Sequence, residues 1–261
     1  MHVLADDADS LSMSRFQALD LRVESKPDNT PVTEADTAVE EAIRRTLSRT
    51  RPRDAVHGEE FADTGGSTRR WIIDPIDGTA NYMRGVPVWA TLIALEEDGE
   101  IVASVVSAPS LSRRWWASKG AGAFTGRSIM NRTELSVSRV GSLTDASLSY
   151  SDLSHWVDSG RGQAFVDLMR QMWRTRAYGD FWSYMLVAEG TVDIACEPQL
   201  ELYDKAALDV IVREAGGRFT SVDGVDGVGG EGGLATNGIL HEQVLDILTG
   251  RVNVDGSPDA D

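Results

Sequence analysis

The stretch that most constrains the fold is 71–79, WIIDPIDGT, because it joins an apolar run directly to two carboxylates. The apolar run, 71–73, is typical of a buried strand. Pro75 lacks an N–H and has a fixed φ, which predicts that the strand ends there and that the chain turns out of the sheet. Three hard oxygen ligands suited to Mg²⁺ or Mn²⁺ then converge: the carboxylates of Asp74 and Asp77 and the carbonyl of Ile76.

Gly78 and Thr79 follow the two acids and predict a flexible corner that opens a helix. Free N–H groups and the helix dipole at such a position hold a phosphate. A divalent metal beside a phosphate site is typical of phosphoryl transfer. Asp-Pro and Asp-Gly pairs are also common in turns, so the same residues describe a corner without chemistry. We favour the functional interpretation, because an apolar strand delivers the motif and matching acids occur elsewhere in the chain.

Three of those other acids each have a structural alternative. Asp36 stands at the start of an amphipathic helix predicted over 35–47, where the helix dipole alone favours an acid. Glu59 belongs to a pair of glutamates, and such a pair is usually solvated surface. Asp204 precedes a helix predicted over 206–215 and is also suited to capping that helix. The pattern alone favours the structural interpretation for Asp36 and leaves both interpretations open for Glu59 and Asp204.

Taken together, these segments resemble the inositol monophosphatase family of Mg²⁺-dependent, lithium-sensitive phosphatases. The resemblance extends from about Lys26 to Leu248. It rests on three ordered motifs: Gly58-Glu59-Glu60, the stretch 71–85, and LYDKAALDVIVREAGG at 202–217. It implies an α+β/α/β fold, a layered αβαβα sandwich of the sugar phosphatase type.

The resemblance also implies a metal site and a catalytic pair. The implied metal ligands are Glu59, Asp74, the Ile76 carbonyl, Asp77 and Asp204. Asp36 then hydrogen-bonds Thr79, and the two orient an attacking water that Glu59 also contacts. Gly78 and Thr79 bind phosphate oxygens, and no covalent enzyme intermediate is needed. Two or three Mg²⁺ ions, with Mn²⁺ as the alternative, are the implied cofactors. Lys26 lies in a loop that closes over the metals in this family, which suggests an electrostatic role, and an exposed loop lysine without a role in the site is the alternative.

Further runs are similar to the actinobacterial type of histidinol-phosphate phosphatase within this family: RGVPVWATLIAL (84–95), RRWWA (113–117) and RAYGDFWSY (176–184). Histidinol phosphate carries an ammonium and an imidazole, so its pocket needs anions and an aromatic face. The implied substrate-binding residues are Gly78, Thr79, Gly179, Asp180, Phe181, Glu197 and Asp204. Phe181 or Trp182 is expected to cover the imidazole ring. Turn chemistry at Asp180, an inositol or other sugar-alcohol monophosphatase, and a catalytically idle binding protein remain alternatives.

Three positions depart from the pattern of related histidinol phosphatases. Ala80 stands where a lysine is common, and Tyr203 where a tryptophan is common. Lys205 occupies a position that is generally small or apolar, and we expect it to tune the second metal or to reach solvent. None of these changes removes a ligand, but they leave the exact substrate open.

Composition excludes several classes of partner. The chain has 261 residues, a formal net charge of −16 and a sequence pI of about 4.6, which argues against binding to nucleic acid or to an anionic membrane. Cys196 is the single cysteine, so no internal disulfide forms, in agreement with a reducing compartment. The sequence has no long apolar span and no signal-peptide pattern. We expect a cytoplasmic enzyme that acts on a small phosphate monoester and, as is common in the family, forms a homodimer.

The predicted elements divide the chain into two domains. Residues 1–140 are expected to form an α+β domain with a large antiparallel sheet and most metal ligands, ending after a strand at 135–138. Residues 141–250 are expected to form an α/β domain that carries the last metal ligand and the substrate corner. Residues 251–261 are predicted to be a disordered tail.

Overall fold

The first of the two main sheets has seven strands. A computed structural model describes residues 1–26 and 30–251. A separate antiparallel pair, β1 (Val23–Ser25) and β2 (Pro31–Thr33), precedes the sheet. The seven strands lie in chain order: β3 (Ala55–Gly58), β4 (Arg69–Asp77), β5 (Ala90–Glu97), β6 (Glu100–Ala108), β7 (Arg113–Ser118), β8 (Gly122–Ser128) and β9 (Asn131–Glu134). Only β3 and β4 pair in parallel, so the rest is an antiparallel meander.

The second sheet has five strands and mixed directions. Its strands are β10 (Ser147–Ser149), β11 (Arg174–Arg176), β12 (Ile194–Glu197), β13 (Arg218–Thr220) and β14 (Gly233–Thr236). They lie in the order β11-β10-β12-β14-β13. The central strand β12 runs parallel to β10 and antiparallel to β14. Parallel neighbours require crossover connections, and the helices between these strands supply them.

Helices cover both sheets. They are α1 (His2–Arg15), α2 (Glu34–Thr50), α3 (Thr79–Met83), α4 (Leu153–Asp158), α5 (Gly162–Gln171), α6 (Asp180–Ala188), α7 (Leu202–Glu214) and α8 (His241–Leu248). Within residues 1–26 and 30–251, no helix combines the length and apolar character needed to cross a membrane.

Alternating apolar residues let the seven-stranded sheet pack on both faces. Because neighbouring residues of a strand point to opposite sides, Ile73 faces α1 and α2, whereas Ile72 faces α6 and α7. The neighbouring tryptophans of β7 divide in the same way: Trp116 belongs to the α1–α2 side and Trp115 to the α6–α7 side. The sheet is therefore the second layer of a sandwich.

The remaining layers follow from the second sheet. Ala195 of β12 and Phe219 of β13 contact the α6–α7 layer. Ile194 and Cys196 of β12 point the other way, into a core formed with α4, α5 and α8. The order of layers is thus helices, sheet, helices, sheet, helices. This confirms the αβαβα class that the resemblance implied.

Several predicted boundaries were wrong. β4 does not end at Pro75 but continues to Asp77, because one extra residue forms a bulge and pairing with β5 resumes at Ala90. No strand forms at 135–138, where the Val137 N–H donates instead to the Ala215 carbonyl beyond the end of α7. The short helix α4 was not predicted. α7 begins at Leu202 rather than 206, which places Asp204 in its first turn.

The expected division near Gly141 stays a prediction. Gly141 does lie between the last strand of the first sheet and the first strand of the second. However, α7 packs against β4 to β8, so one continuous core joins the two halves. Most of the expected disordered tail, 252–261, and residues 27–29 of the loop that follows Lys26 lie outside the described residues.

Candidate active site

The centre of the site is the bulge at the end of β4. Asp74 pairs with Leu92 of β5, and Asp77 pairs with Ala90, so three steps along β4 correspond to two along β5. The Thr91 hydroxyl donates to the Pro75 carbonyl (2.8 Å) and helps to hold the irregular segment. A bulge re-aims the side chains beside it. Asp74 is 1% exposed, and Asp77 is half-buried.

Gly78 connects this bulge to α3. Its φ of +84° lies in the left-handed region, and a Cβ there would lie 2.9 Å from the Val88 carbonyl oxygen and 3.2 Å from Asp180 Oδ2. Only glycine meets both requirements. The backbone of β4 therefore passes close to Asp180 on its way into α3.

Thr79 links α3 to α2. Its hydroxyl has two acceptors within reach, the Ile76 carbonyl oxygen at 2.9 Å and Asp36 Oδ1 at 3.2 Å. Asp36 is fully buried in the first turn of α2, where Oδ2 accepts from the Thr33 N–H (2.8 Å) and hydroxyl (2.5 Å) in a capping box. Burial raises the pKa of Asp36, although the hydrogen bonds from Thr33 and Thr79 oppose the rise. The alternative role of Asp36, a helix-start acid, is thus present together with the contact to Thr79.

Glu59 lies just beyond β3, beside β4, because its N–H donates to the Ile73 carbonyl (3.2 Å). Its carboxylate accepts from the Lys26 ammonium at 2.6 Å, and the same ammonium is 2.8 Å from Glu60. Burial opposes the charge of Lys26, but the two glutamates outweigh it and raise the pKa of the ammonium. Lys26 is thus a direct partner of the acidic site, a closer role than an exposed loop lysine would have.

Asp204 enters the site from α7. It is the third residue of the helix, and Oδ2 accepts from the Glu201 N–H (2.7 Å), so it also caps the helix. Burial raises the pKa of Asp204 to about 7, and the charges of Glu59 and Glu201 add to the effect. The capping alternative and the position near other acids therefore hold together.

Asp74, Asp77 and Asp204 form one cluster, since each offers a carboxylate oxygen within 4.8 Å of the other two. Burial raises the pKa of Asp74 and of Asp77, and the neighbouring carboxylates raise both further. In the described part of the chain no donor reaches Asp74 Oδ1, although that oxygen is buried. Hard oxygen ligands, mutual repulsion and an unpaired buried oxygen all fit a divalent cation. Glu59 is outside this group of three.

A pair of acids, Asp180 and Glu197, lies next to the cluster of three, where α6 begins. The Phe181 N–H donates to Asp77 Oδ2 (2.7 Å), which ties α6 to the bulge. Asp180 precedes it at a strained φ of +49°, and Oδ2 accepts from the Asn81 side chain (2.8 Å). Burial raises the pKa of Asp180 to about 6.

Glu197, at the end of β12, completes this pair. It is 8% exposed, and Oε1 meets no hydrogen-bond donor among the described residues. Burial and the charge of Asp180 raise the pKa of Glu197 to about 8, against hydrogen bonds from the Ser151 and Tyr184 hydroxyls. Gly179, with φ +89°, directs the chain into this corner. The corner therefore favours a positively charged group.

The expected aromatic cover is wrong for Phe181. Its ring is 1% exposed and packs against Trp115 in the core (6.0 Å between ring centroids), because the first turn of α6 directs it toward the first sheet. Only its backbone N–H faces the acidic cluster. Trp182 is half-buried, with its ring 5.6 Å from that of Tyr178, and its contact with substrate stays a prediction.

The three departures have distinct surroundings. Lys205 is 4% exposed and donates to the Gly230 carbonyl (2.7 Å), so the expectation that it reaches solvent is wrong. Burial lowers the pKa of its ammonium. Tyr203 is half-buried, and its ring lies 6.1 Å from that of His57 with an angle of 30° between the ring planes. Ala80 is exposed on α3.

The sequence analysis did not predict the residues that hydrogen-bond to the acidic segments of the site. Asn81 bridges Asp180 and the Val88 carbonyl, and Ser151 accepts from the Asp180 N–H. Glu40 is buried in α2 and accepts from the Glu60 N–H. Nothing in the sequence around Asn81 or Ser151 indicates this role. Glu40 carries one, since an acid on the apolar face of an amphipathic helix is unusual.

The fold and the acidic site define a class of proteins. The inositol monophosphatase family matches residues 3–252. This chain therefore belongs to the inositol monophosphatase family. Among solved structures, suhB, an extragenic suppressor protein from Bartonella henselae, is similar with a TM-score of 0.86 and 29% identity, covering 95% of this chain and 96% of that one. An IMPase from Thermotoga maritima has a TM-score of 0.84, also at 29% identity, and covers 95% of this chain and 94% of that one.

Curated relatives narrow the class further. A histidinol-phosphatase of Streptomyces coelicolor is 59% identical over 254 residues, 96% of each chain. A histidinol-phosphatase of Mycobacterium tuberculosis is 59% identical over 93% of this chain and 94% of its own. An inositol-1-monophosphatase of Rhizobium meliloti is 34% identical over 82% of this chain and 81% of its own. Similarity to the histidinol phosphatases is thus much greater than to this inositol phosphatase.

Proposed function

We propose that this chain hydrolyses L-histidinol phosphate to L-histidinol and inorganic phosphate, with Mg²⁺ held at the acidic cluster. The observation that carries the substrate assignment is the buried pair Asp180 and Glu197, whose pKa values are both raised. A cationic ligand stabilises such a pair in its charged form. Histidinol phosphate carries that cation, whereas inositol phosphate has none. The two relatives at 59% identity support the same substrate.

The cation site consists of Asp74, Asp77 and Asp204, with Glu59 and the Ile76 carbonyl as further ligands. All are hard oxygen donors, which favours Mg²⁺ with Mn²⁺ as a substitute, and two or three ions are part of the proposal. When bound, the cation supplies Lewis acidity that lowers the pKa of a water and stabilises charge on phosphate oxygens.

Thr79 and Asp36 orient the attacking water. The Thr79 hydroxyl has one proton and two acceptors within reach, the Ile76 carbonyl and Asp36. If the Ile76 carbonyl binds the cation, Asp36 accepts the hydrogen bond from Thr79. The lone pairs of Thr79 Oγ1 are then free to accept a hydrogen bond from the water, which aligns its oxygen with phosphorus. Asp36 is rigid enough for this task, because Thr33 holds its other oxygen.

Backbone N–H groups of Gly78 and Thr79 bind the phosphate oxygens, and the left-handed turn at Gly78 permits the close approach. The water oxygen forms the new bond to phosphorus as the bond from phosphorus to the substrate oxygen breaks. The proton that the water gives up balances the one that the departing alkoxide takes up to give histidinol, so the products are histidinol and inorganic phosphate. Asp180 and Glu197 bind the amine and imidazole side. The proposed assembly is a homodimer, which light scattering of the full chain tests.

The deciding experiment compares phosphate release from histidinol phosphate and from inositol 1-phosphate, with Mg²⁺, with a chelator and with lithium. We expect kcat/KM to be at least about 100-fold higher for histidinol phosphate, since buried charges left unpaired by the wrong substrate cost several kcal/mol. A preference for inositol 1-phosphate would assign the chain to the alternative function.

Asp77→Asn provides the control for the metal. The amide oxygen still accepts from the Phe181 N–H, so the fold is kept, but a charged ligand is lost. Turnover is expected to fall by about 100-fold or more. Turnover near that of the parent protein would contradict the metal assignment.

A further inference from the structure

Glu40 is a buried carboxylate that the proposed mechanism does not use. It lies on the inner side of α2, directly after Val39, and is fully buried. A buried charge costs several kcal/mol unless charged or hydrogen-bonding partners compensate it. The partners that compensate the buried carboxylate of Glu40 therefore indicate its role.

Those partners surround the metal ligand Glu59. Glu40 Oε2 accepts from the N–H of Glu60 (2.8 Å), the next residue. On the preceding side, a Cβ added to Gly58 would lie only 2.1 Å from Glu40 Oε1, so the carboxylate lies directly against the Gly58 backbone. Glu40 thus contacts the residues on both sides of Glu59.

Arg44, one turn further along α2, extends this contact. Its Nε donates to Glu40 Oε1 (2.7 Å), and its Nη2 donates to the Phe61 carbonyl (3.0 Å). The same guanidinium lies over the Phe61 ring, 5.9 Å from the centroid. Glu40 and Arg44, which we call the α2 clamp, therefore hold the whole turn at 58–61.

The same face of α2 also carries Asp36. Residues four apart in a helix lie one above the other, so Asp36, Glu40 and Arg44 form one row. Asp36 accepts from Thr79 at one end of the row, while the clamp holds the turn of Glu59 at the other. One rigid helix thus sets the distance between the residue that orients the water and a ligand of the cation.

We infer that Glu40 is a positioning residue that fixes the Glu59 turn and thereby sets the affinity of the site for its divalent cation. The inference rests on the proposed function, because it requires that a cation binds. Glu59 is the ligand that most needs such support, since its carboxylate is otherwise drawn to Lys26. Loss of the clamp weakens cation binding without removing any ligand.

The test is Glu40→Gln, with Glu41→Gln as the matched control. A carboxylate accepts on both oxygens, from Arg44 and from the Glu60 N–H, whereas an amide offers one acceptor and turns N–H toward the other donor. Glu41 makes the equivalent pair four residues along, with Arg45 (3.2 Å), but on the exposed side of α2. The control therefore removes the same charge from the same helix without touching the clamp.

Titration calorimetry of the full chain with Mg²⁺, without substrate, measures the effect directly. We expect the dissociation constant of Glu40→Gln to rise about tenfold or more, the scale for residues that support metal ligands. Glu41→Gln is expected to remain within about twofold of the parent, as exposed pairs contribute little. In phosphate release, excess Mg²⁺ should restore kcat of Glu40→Gln, because the ligands themselves are intact.

An unchanged Mg²⁺ affinity in a folded Glu40→Gln protein would overturn the inference and leave Glu40 a purely structural group. If that variant does not fold, Arg44→Lys decides instead, because lysine keeps the charge beside Glu40 but cannot reach both Glu40 and the Phe61 carbonyl. Weaker Mg²⁺ binding in Arg44→Lys supports the clamp, and parent-like binding rejects it. Absence of Mg²⁺ and Mn²⁺ binding to the parent protein would instead refute the proposed function.

Discussion

Asp204→Asn is expected to make the metal-free protein more stable while it removes the stabilisation that Mg²⁺ provides. The amide oxygen still accepts from the Glu201 N–H, so the first turn of α7 keeps its cap. What changes is the charge, which in the metal-free protein lies close to Asp74 and Asp77. The substitution therefore tests whether Asp204 is a metal ligand or only a structural acid.

The magnitude follows from the pKa of Asp204, about 7 in the folded protein against about 4 in an unfolded chain. Because the folded state binds this proton more tightly, ionisation of Asp204 destabilises it: the contribution of Asp204 to the free energy of unfolding falls as pH rises from 4 through 7 and is constant above. The difference corresponds to at most about 4 kcal/mol. Neighbouring acids share the repulsion and water relieves part of it, so we expect about 2 kcal/mol.

Thermal and denaturant unfolding at about pH 8 measure the effect, with chelator and with Mg²⁺. In chelator, Asp204→Asn should raise the melting temperature by roughly 4–8 °C. In Mg²⁺ the parent gains about 2–3 kcal/mol at a hundred times the dissociation constant, and the variant gains far less. Asp152→Asn is the matched control: Asp152 also accepts from a backbone N–H at a helix start, but it is exposed and is not one of the three clustered acids.

The reasoning fails if Asp204→Asn is less stable than the parent in chelator, since the carboxylate would then be a structural acid. It fails equally if the variant keeps the full Mg²⁺ stabilisation. Asp152→Asn should leave both quantities unchanged.

Two further predictions concern the substrate corner and the pH dependence of stability. Glu197→Gln should raise KM for histidinol phosphate by about tenfold and KM for p-nitrophenyl phosphate by less than about twofold, because only the first substrate carries a cation; equal changes would remove Glu197 from substrate binding. His241 is fully buried between the Thr220 and Thr236 hydroxyls (3.0 Å each), and burial lowers its pKa to about 4. Since the unfolded imidazole binds a proton more readily, with pKa about 6.5, stability falls as pH drops below that value, by about 2 kcal/mol at pH 5. His241→Gln should lose that part of the acid sensitivity in denaturant titrations, whereas substitution of the exposed His155 by Gln should not; equal slopes for His241→Gln and the parent would contradict the assignment.

Local sequence patterns were sufficient where a residue acts through its immediate neighbours. The start of α2 near Asp36, the corner at Gly78 and the buried strand that contains Ile72 and Ile73 all depend on residues close together in the chain, which the sequence shows directly. The predicted end of β4 at Pro75 was wrong because it was inferred from local sequence alone. Proline removes one hydrogen bond, but whether the strand resumes beyond it depends on what β5 offers as a partner.

Roles that depend on burial were invisible. The sequence does not indicate that Lys205 is buried with its ammonium against the Gly230 carbonyl. Nor does it indicate that the Phe181 ring lies in the core while the Phe181 N–H donates to Asp77. Asn81 and Ser151 are ordinary polar residues until the fold brings them to Asp180. Their sequence separations from Asp180 exceed any local periodicity.

The sequence by itself determined the family, because the order of the acidic motifs is a property of the chain, and through that resemblance it implied the layered fold and the candidate carboxylates. Only the tertiary structure decided how those acids act on one another. Asp74 and Asp77 lie on β4 and Asp204 lies on α7, and their raised pKa values arise from burial and from repulsion across space. Charge interactions depend on distance and on exclusion of water, and neither quantity exists until the chain has folded.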